Sequence, residues 1–95
     1  MVLGILRVEL FFPDNGSLKE KRHFIRSIKD KVRSSLNVSV AEVDHHDLWQ
    51  RASLAFVCVA GERPIAEETL VKVKKLLEKF YPEFLLDLRV EFLNF

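Results

Sequence analysis

Several things are scarce in this sequence. A single cysteine, Cys58, in 95 residues excludes an internal disulfide. That removes the disulfide-stapled class of small secreted domains and sets a reducing, cytoplasmic expectation. Three Gly and three Pro leave little material for long loops. No run of uncharged apolar residues is long enough to cross a bilayer, so no membrane partner is expected. The apolar stretch 1–12 is interrupted by Arg7 and Glu9, and no small-residue cleavage site follows, so it does not read as a signal peptide. A dominant charge sign is missing too: 15 Lys+Arg stand against 14 Asp+Glu. The phosphate-binding patterns G-x-x-x-x-G-K and G-x-G-x-x-G and the nucleophile pattern G-x-S-x-G do not occur. What remains is 48% hydrophobic and 31% charged, the balance of one soluble globular domain over 1–95; two cores would each be too small.

Apolar periodicity divides the chain. Residues 2–12 alternate with period two, placing Val2, Gly4, Leu6, Val8, Leu10 and Phe12 on one face and Leu3, Ile5, Arg7, Glu9 and Phe11 on the other, as in a strand. Pro13-Asp14-Asn15-Gly16 is turn chemistry. Ser17, with Glu20 three residues on, forms a capping box. Leu18, Ile25, Ile28, Val32 and Leu36 then recur at helical spacing, which predicts an amphipathic helix over 18–36. Residues 38–44 and 52–60 read as strands joined by the polar stretch 44–51. The second of them is nearly all apolar, as in a strand covered on both faces. Pro64 opens a second helix with Ile65, Thr69, Val73, Leu76, Leu77 and Phe80 along one side, and Pro82 stops it. Leu86, Leu88, Val90 and Phe92 alternate with charges as a last strand. The order β-α-β-β-α-β predicts a ferredoxin-like α+β sandwich: a four-stranded antiparallel sheet in order 4-1-3-2 with both helices on one face.

This architecture leaves one sheet face bare. Leu3, Ile5 and Phe11 fall on it, with more apolar residues from the third strand, so a second copy is expected to cover it as a two-fold homodimer. Arg7, Glu9, Arg89 and Glu91 share the face, and opposite charges are expected to pair across the first and last strands. The first helix carries a second feature. Residues 19–33 hold seven Lys or Arg against two acids, a charge of +5, so the remaining 8 basic and 12 acidic residues sum to −4. Arg22, Arg26, Lys29 and Arg33, with Lys19 at the near end, form one cationic stripe suited to a phosphate backbone. The competing expectation pairs Arg22 and Arg26 with Glu67, Glu68 or Glu78 of the second helix. Lys21 falls within the apolar stripe, either snorkelling out or ion-paired with Glu42 or Asp44.

Asp44-His45-His46-Asp47 offers metal-ligand types, but neighbours along a strand point to opposite sides and no zinc spacing is present. No cofactor and no catalytic residue is assigned. A small-ligand or metal enzyme at the 44–51 hairpin is the weakest of three readings. A protein–protein assembly module without nucleic acid ranks above it, and a non-enzymatic RNA- or ribosome-binding module ranks first. Trp49 is expected to anchor the hairpin, stack on Arg51 or face a partner.

Three blocks carry a resemblance: Ser17-Leu18-Lys19-Glu20-Lys21-Arg22, Asn37-Val38-Ser39-Val40-Ala41-Glu42 and Asp47-Leu48-Trp49-Gln50-Arg51-Ala52. In this order and spacing the chain resembles the YlxP-like family of small bacterial proteins of unknown function. The resemblance spans essentially the whole chain. It implies a ferredoxin-like fold, a cytoplasmic bacterial protein without assigned activity, and genes that often neighbour those of translation initiation and ribosome-binding factors. It marks Lys19, Lys21, Arg22, Ser39, Glu42, Asp47, Trp49, Gln50 and Arg51 as motif positions with no established catalytic role.

Overall fold

In the computed structural model, which describes residues 1–95, the alternating N-terminal segment forms strand β1 (Val2–Phe11). It is followed by helix α1 (Leu18–Ser35), strands β2 (Ser39–Asp44) and β3 (Arg51–Ala60), helix α2 (Arg63–Phe80), a single 3-10 turn (Pro82–Phe84) and strand β4 (Leu85–Asn94). Every strand pairs antiparallel with its neighbours, in the order β2-β3-β1-β4. This is the expected 4-1-3-2 order read from the other edge.

The core lies between the sheet and the helices. Leu6, Val8, Leu10 and Phe12 meet Leu54 and Phe56 from β3, Ile25, Ile28 and Val32 from α1, and Leu70, Val73 and Leu77 from α2. Burial of each such side chain stabilises the fold by about 1.5–3 kcal/mol. Gly4 permits α2 to approach the sheet, since a Cβ there would lie 3.0 Å from both Leu70 Cδ1 and Cys58 Sγ. At the other end of the sheet Phe12 stacks on Phe24 at 5.3 Å, with Phe84 edge-on to both. α1 begins where the cap places it: the Ser17 hydroxyl accepts from the Glu20 amide at 3.1 Å.

The structure corrects four expectations. α2 is rotated relative to the expected stripe: Ala66 and Leu70 are buried with Val73 and Leu77, while Ile65 and Phe80 are exposed. Thr69 turns its hydroxyl back to the Ile65 carbonyl. Leu86 is also exposed, because β4 shifts register between the pairs Glu9–Asp87 and Leu10–Leu85. The extra residue points Leu86 outward and lets Leu85 pack on the core instead. β3 is covered on its helix face only; on the other, Val59 is 67% exposed. Finally, the β1–β4 register sets Arg7 opposite Arg89 and Glu9 opposite Asp87, with Glu91 opposite Ile5. Opposite charges therefore do not pair across these strands; each arginine turns to an acid two residues away on its own strand.

Candidate functional site

The cationic stripe of α1 lies beside β2, which is an edge strand. Arg22, Arg26, Lys29 and Arg33 line a groove of about 380 Å³ together with Ile25, Asp30 and Glu42. No carboxylate lies within 4.0 Å of the cationic heads of Lys19, Arg22, Arg26 or Lys29, and Arg33 only approaches Asp30, at 3.8 Å. Two acids of α2 are engaged within their own helix, Glu67 with Arg63 and Glu68 with Lys72, and Glu78 makes no ion pair with the stripe. The expected pairing of Arg22 and Arg26 with the second helix is therefore absent. Lys19, Arg22, Arg26 and Lys29 are left without an acidic partner, and only Arg33 is paired, at the far end of the stripe.

Lys21 is different. Its side chain is 1% exposed, and its ammonium donates to the backbone carbonyls of His45 at 2.8 Å, Arg51 at 3.2 Å and His46 at 3.3 Å. The Glu42 carboxylate lies 3.0 Å away, outside hydrogen-bond geometry, so that contact is ionic. Lys21 thus does not snorkel. It ties the first turn of α1 to the β2–β3 hairpin, gathering three of its carbonyls on one ammonium, the His45 carbonyl in addition to its bond from the Leu48 amide. Asn15 completes the junction. It is buried; its amide donates to the carbonyls of Ser17 at 3.0 Å and Trp49 at 2.5 Å, and its Oδ1 accepts from the Ser17 amide. Gln50 donates to the carbonyls of Pro13 and Asn15. Sequence reasoning saw Asn15 only as turn chemistry, and no local signal marks its long-range partner. The result is a hairpin pinned to the start of α1, whose Trp49 is 54% exposed and lines, with Phe11, Leu48 and Arg51, a shallow depression of about 400 Å³.

The bare sheet face has a charged centre. The Ser53 hydroxyl and the Arg7 guanidinium both donate to the Glu9 carboxylate; His45 and Arg51 each stand 3.7 Å from it. Burial pushes the Glu9 carboxyl up, but the Ser53 bond, Arg7 and His45 outweigh it and hold the group below its ordinary value. Asp44 is also held low, first by the His45 amide that donates to it and then by the charges of His45 and Arg7. His45 adopts φ 63°, the left-handed turn that sends its ring back across the sheet toward Glu9. The four residues Asp44–Asp47 do not converge: His46 reaches the Glu42 carbonyl, and no three His, Cys, Asp or Glu side chains gather around one point. Ser39 and Asp47 are exposed. Cys58 is buried.

Known proteins resemble this chain in sequence and in fold. Residues 3–90 match the family described as a protein of unknown function, DUF503. The chain belongs to this family. An uncharacterized protein of Bacillus subtilis strain 168, YlxP, is 34% identical over 79 residues, which cover 83% of this chain and 86% of that protein. Among solved structures, a protein of unknown function from Nitrosomonas europaea superposes with a TM-score of 0.57 at 8% identity, covering 99% of this chain and 87% of the other. A designed protein, Foldit4, gives 0.56 at 14% identity over 99% and 97%. A putative antibiotic biosynthesis monooxygenase from Chloroflexus aurantiacus gives 0.52 at 14% over 100% and 95%. These identities carry the fold alone. The DUF503 blocks that the sequence displays acquire a physical meaning here. Lys21, Glu42, Gln50 and the Arg51 carbonyl build the junction between α1 and the hairpin, so part of the pattern serves architecture. Lys19, Arg22, Ser39, Asp47 and Trp49 are left facing solvent.

Proposed function

We propose that this protein is a non-enzymatic binding module that takes structured RNA, free or within a ribosomal particle, along the outer face of α1. The observation that carries the reading is the uncompensated charge of Lys19, Arg22, Arg26 and Lys29, continued by Arg33. From Lys19 to Arg33 the stripe runs about 21 Å at 1.5 Å per residue, long enough to meet several consecutive phosphates. Each phosphate contact would release a counterion, so binding would weaken steeply with salt. Nothing in the groove distinguishes bases, and the affinity would come from backbone charge and shape rather than sequence.

The test is retention of structured RNA, and of ribosomes, by the wild type and by a variant with Arg22, Arg26, Lys29 and Arg33 changed to Glu. Wild-type retention at about 50 mM salt should fall by a factor of ~10 or more at about 200 mM, and the variant should lose retention while unfolding at an unchanged temperature. A wild type that retains no RNA at low salt ends the reading.

A further inference from the structure

The bare face of the sheet is ordered in rows. On it Leu3 lies between Val59 and Leu93, Ile5 between Val57 and Glu91, Arg7 between Ala55 and Arg89, and Glu9 between Ser53 and Asp87; Phe11 lies beside Arg51. One row thus carries two arginines side by side, and the next carries two carboxylates. Like charges set directly opposite one another on neighbouring strands are unfavourable. The ion pairs within the chain relieve this only in part, since Arg89 keeps its side chain 81% exposed while reaching Asp87 at 3.1 Å. The apolar row of Leu3 at the end of the face is open as well, with Val59 and Leu93 both exposed.

We propose that a second copy of this chain covers the face as a two-fold dimer whose register is set by Arg7, Glu9, Asp87 and Arg89. The pattern is complementary to itself under one operation. A two-fold axis lying between the sheets, perpendicular to the strands and passing between the arginine row and the carboxylate row, lays β1 on β1 and β4 on β4. Arg7 then meets Glu9 of the partner subunit, and Arg89 meets Asp87 of the partner subunit. The symmetry repeats both pairs. One row further out on either side, Ile5 meets Phe11 of the partner subunit. The apolar end at Leu3 and Val59 is carried toward the partner's hairpin, where Leu48 and Trp49 are exposed, which gives these two side chains an apolar surface to meet.

The dimensions suit a weak-to-moderate dimer. Three ten-residue strands and the six-residue β2, at about 3.3 Å per residue and about 4.8 Å apart, give a plan area of roughly 570 Å² per copy, near the lower end of specific interfaces. The apolar rows supply affinity, while the charged rows contribute mainly register and exclusion of wrong partners. Both helices remain on the outside of such a dimer, so the cationic stripe of α1 stays open in each subunit.

Sedimentation of the full chain tests the proposal. Wild type should be dimeric at about 100 µM, and Ile5→Asp should be monomeric there. Arg89→Glu and Asp87→Lys, both at exposed sites, should each weaken self-association about tenfold or more, because each sets like charge against like. Mixed one to one, these two variants should recover wild-type dimerisation as a heterodimer, since the carboxylate introduced in one subunit would then face the ammonium introduced in the other. Circular dichroism melts confirm that each variant is folded. A monomeric wild type, a dimer indifferent to Ile5→Asp, or a mixture that stays monomeric would each overturn the proposal.

Discussion

Lys21 occupies a site built around a buried ammonium. A buried ammonium is costly to desolvate, and here three carbonyls and Glu42 offset that cost. Removing it alone strands the Glu42 carboxylate without its counter-charge and takes a donor from the carbonyls. Lys21→Met should therefore destabilise the fold by about 3 kcal/mol in urea unfolding, although methionine fills the space. Adding Glu42→Gln should recover part of the loss, because the stranded charge is then gone. Equal stability of Lys21→Met and wild type would show that the junction contributes nothing. Sequence places Lys21 inside the apolar stripe and names Glu42 or Asp44 as its partner, but it does not choose between the two, or between an ion pair and snorkelling. The choice depends on the hairpin carbonyls, which no residue identity announces.

At the level of elements, α1 was legible because its signals agree: a capping serine, a following glutamate and apolar residues at helical spacing. α2 was legible in extent but not in orientation. The expected and observed stripes share Val73 and Leu77, and the apolar residues Ile65 and Phe80 pulled the expectation round. Small Ala66 was passed over, yet it sits close to where a side chain at Gly4 would be. Leu70→Ala should consequently cost about 2–5 kcal/mol, and Ile65→Ala less than about 0.5 kcal/mol. Comparable thermal shifts from the two would contradict the rotation. The bulge in β4 was hidden for a similar reason. Leu85 and Leu86 are equally apolar, and only the register against β1 decides which one points inward. The bare face of β3 was misread because a run of Ala and Val residues suits a covered strand and an interface equally well.

For the whole molecule, topology follows from element order, whereas function does not follow from topology. The charged centre of the sheet joins β1, β2 and β3 through Glu9, Asp44, His45, Arg51 and Ser53, and it predicts how stability responds to acid. Both carboxyls are held below their ordinary values of 4.5 and 3.8. Such groups contribute stability above the unfolded-state value and lose it as pH falls through the lower folded one. The unfolding temperature should accordingly drop as pH falls below about 4.5, and Glu9→Gln should flatten that drop. A slope unchanged in the variant would remove Glu9 from the acid response. The uneven placement of charge also affects bulk behaviour. The chain nears electrical neutrality around pH 7.9, yet one helix remains a polycation while the excess of acid lies elsewhere. Molecules of that kind attract one another head to tail. In dilute buffer near this pH the protein should therefore be least soluble, and moderate salt, by shortening the reach of these fields, should bring it back into solution, as turbidity against salt concentration would show.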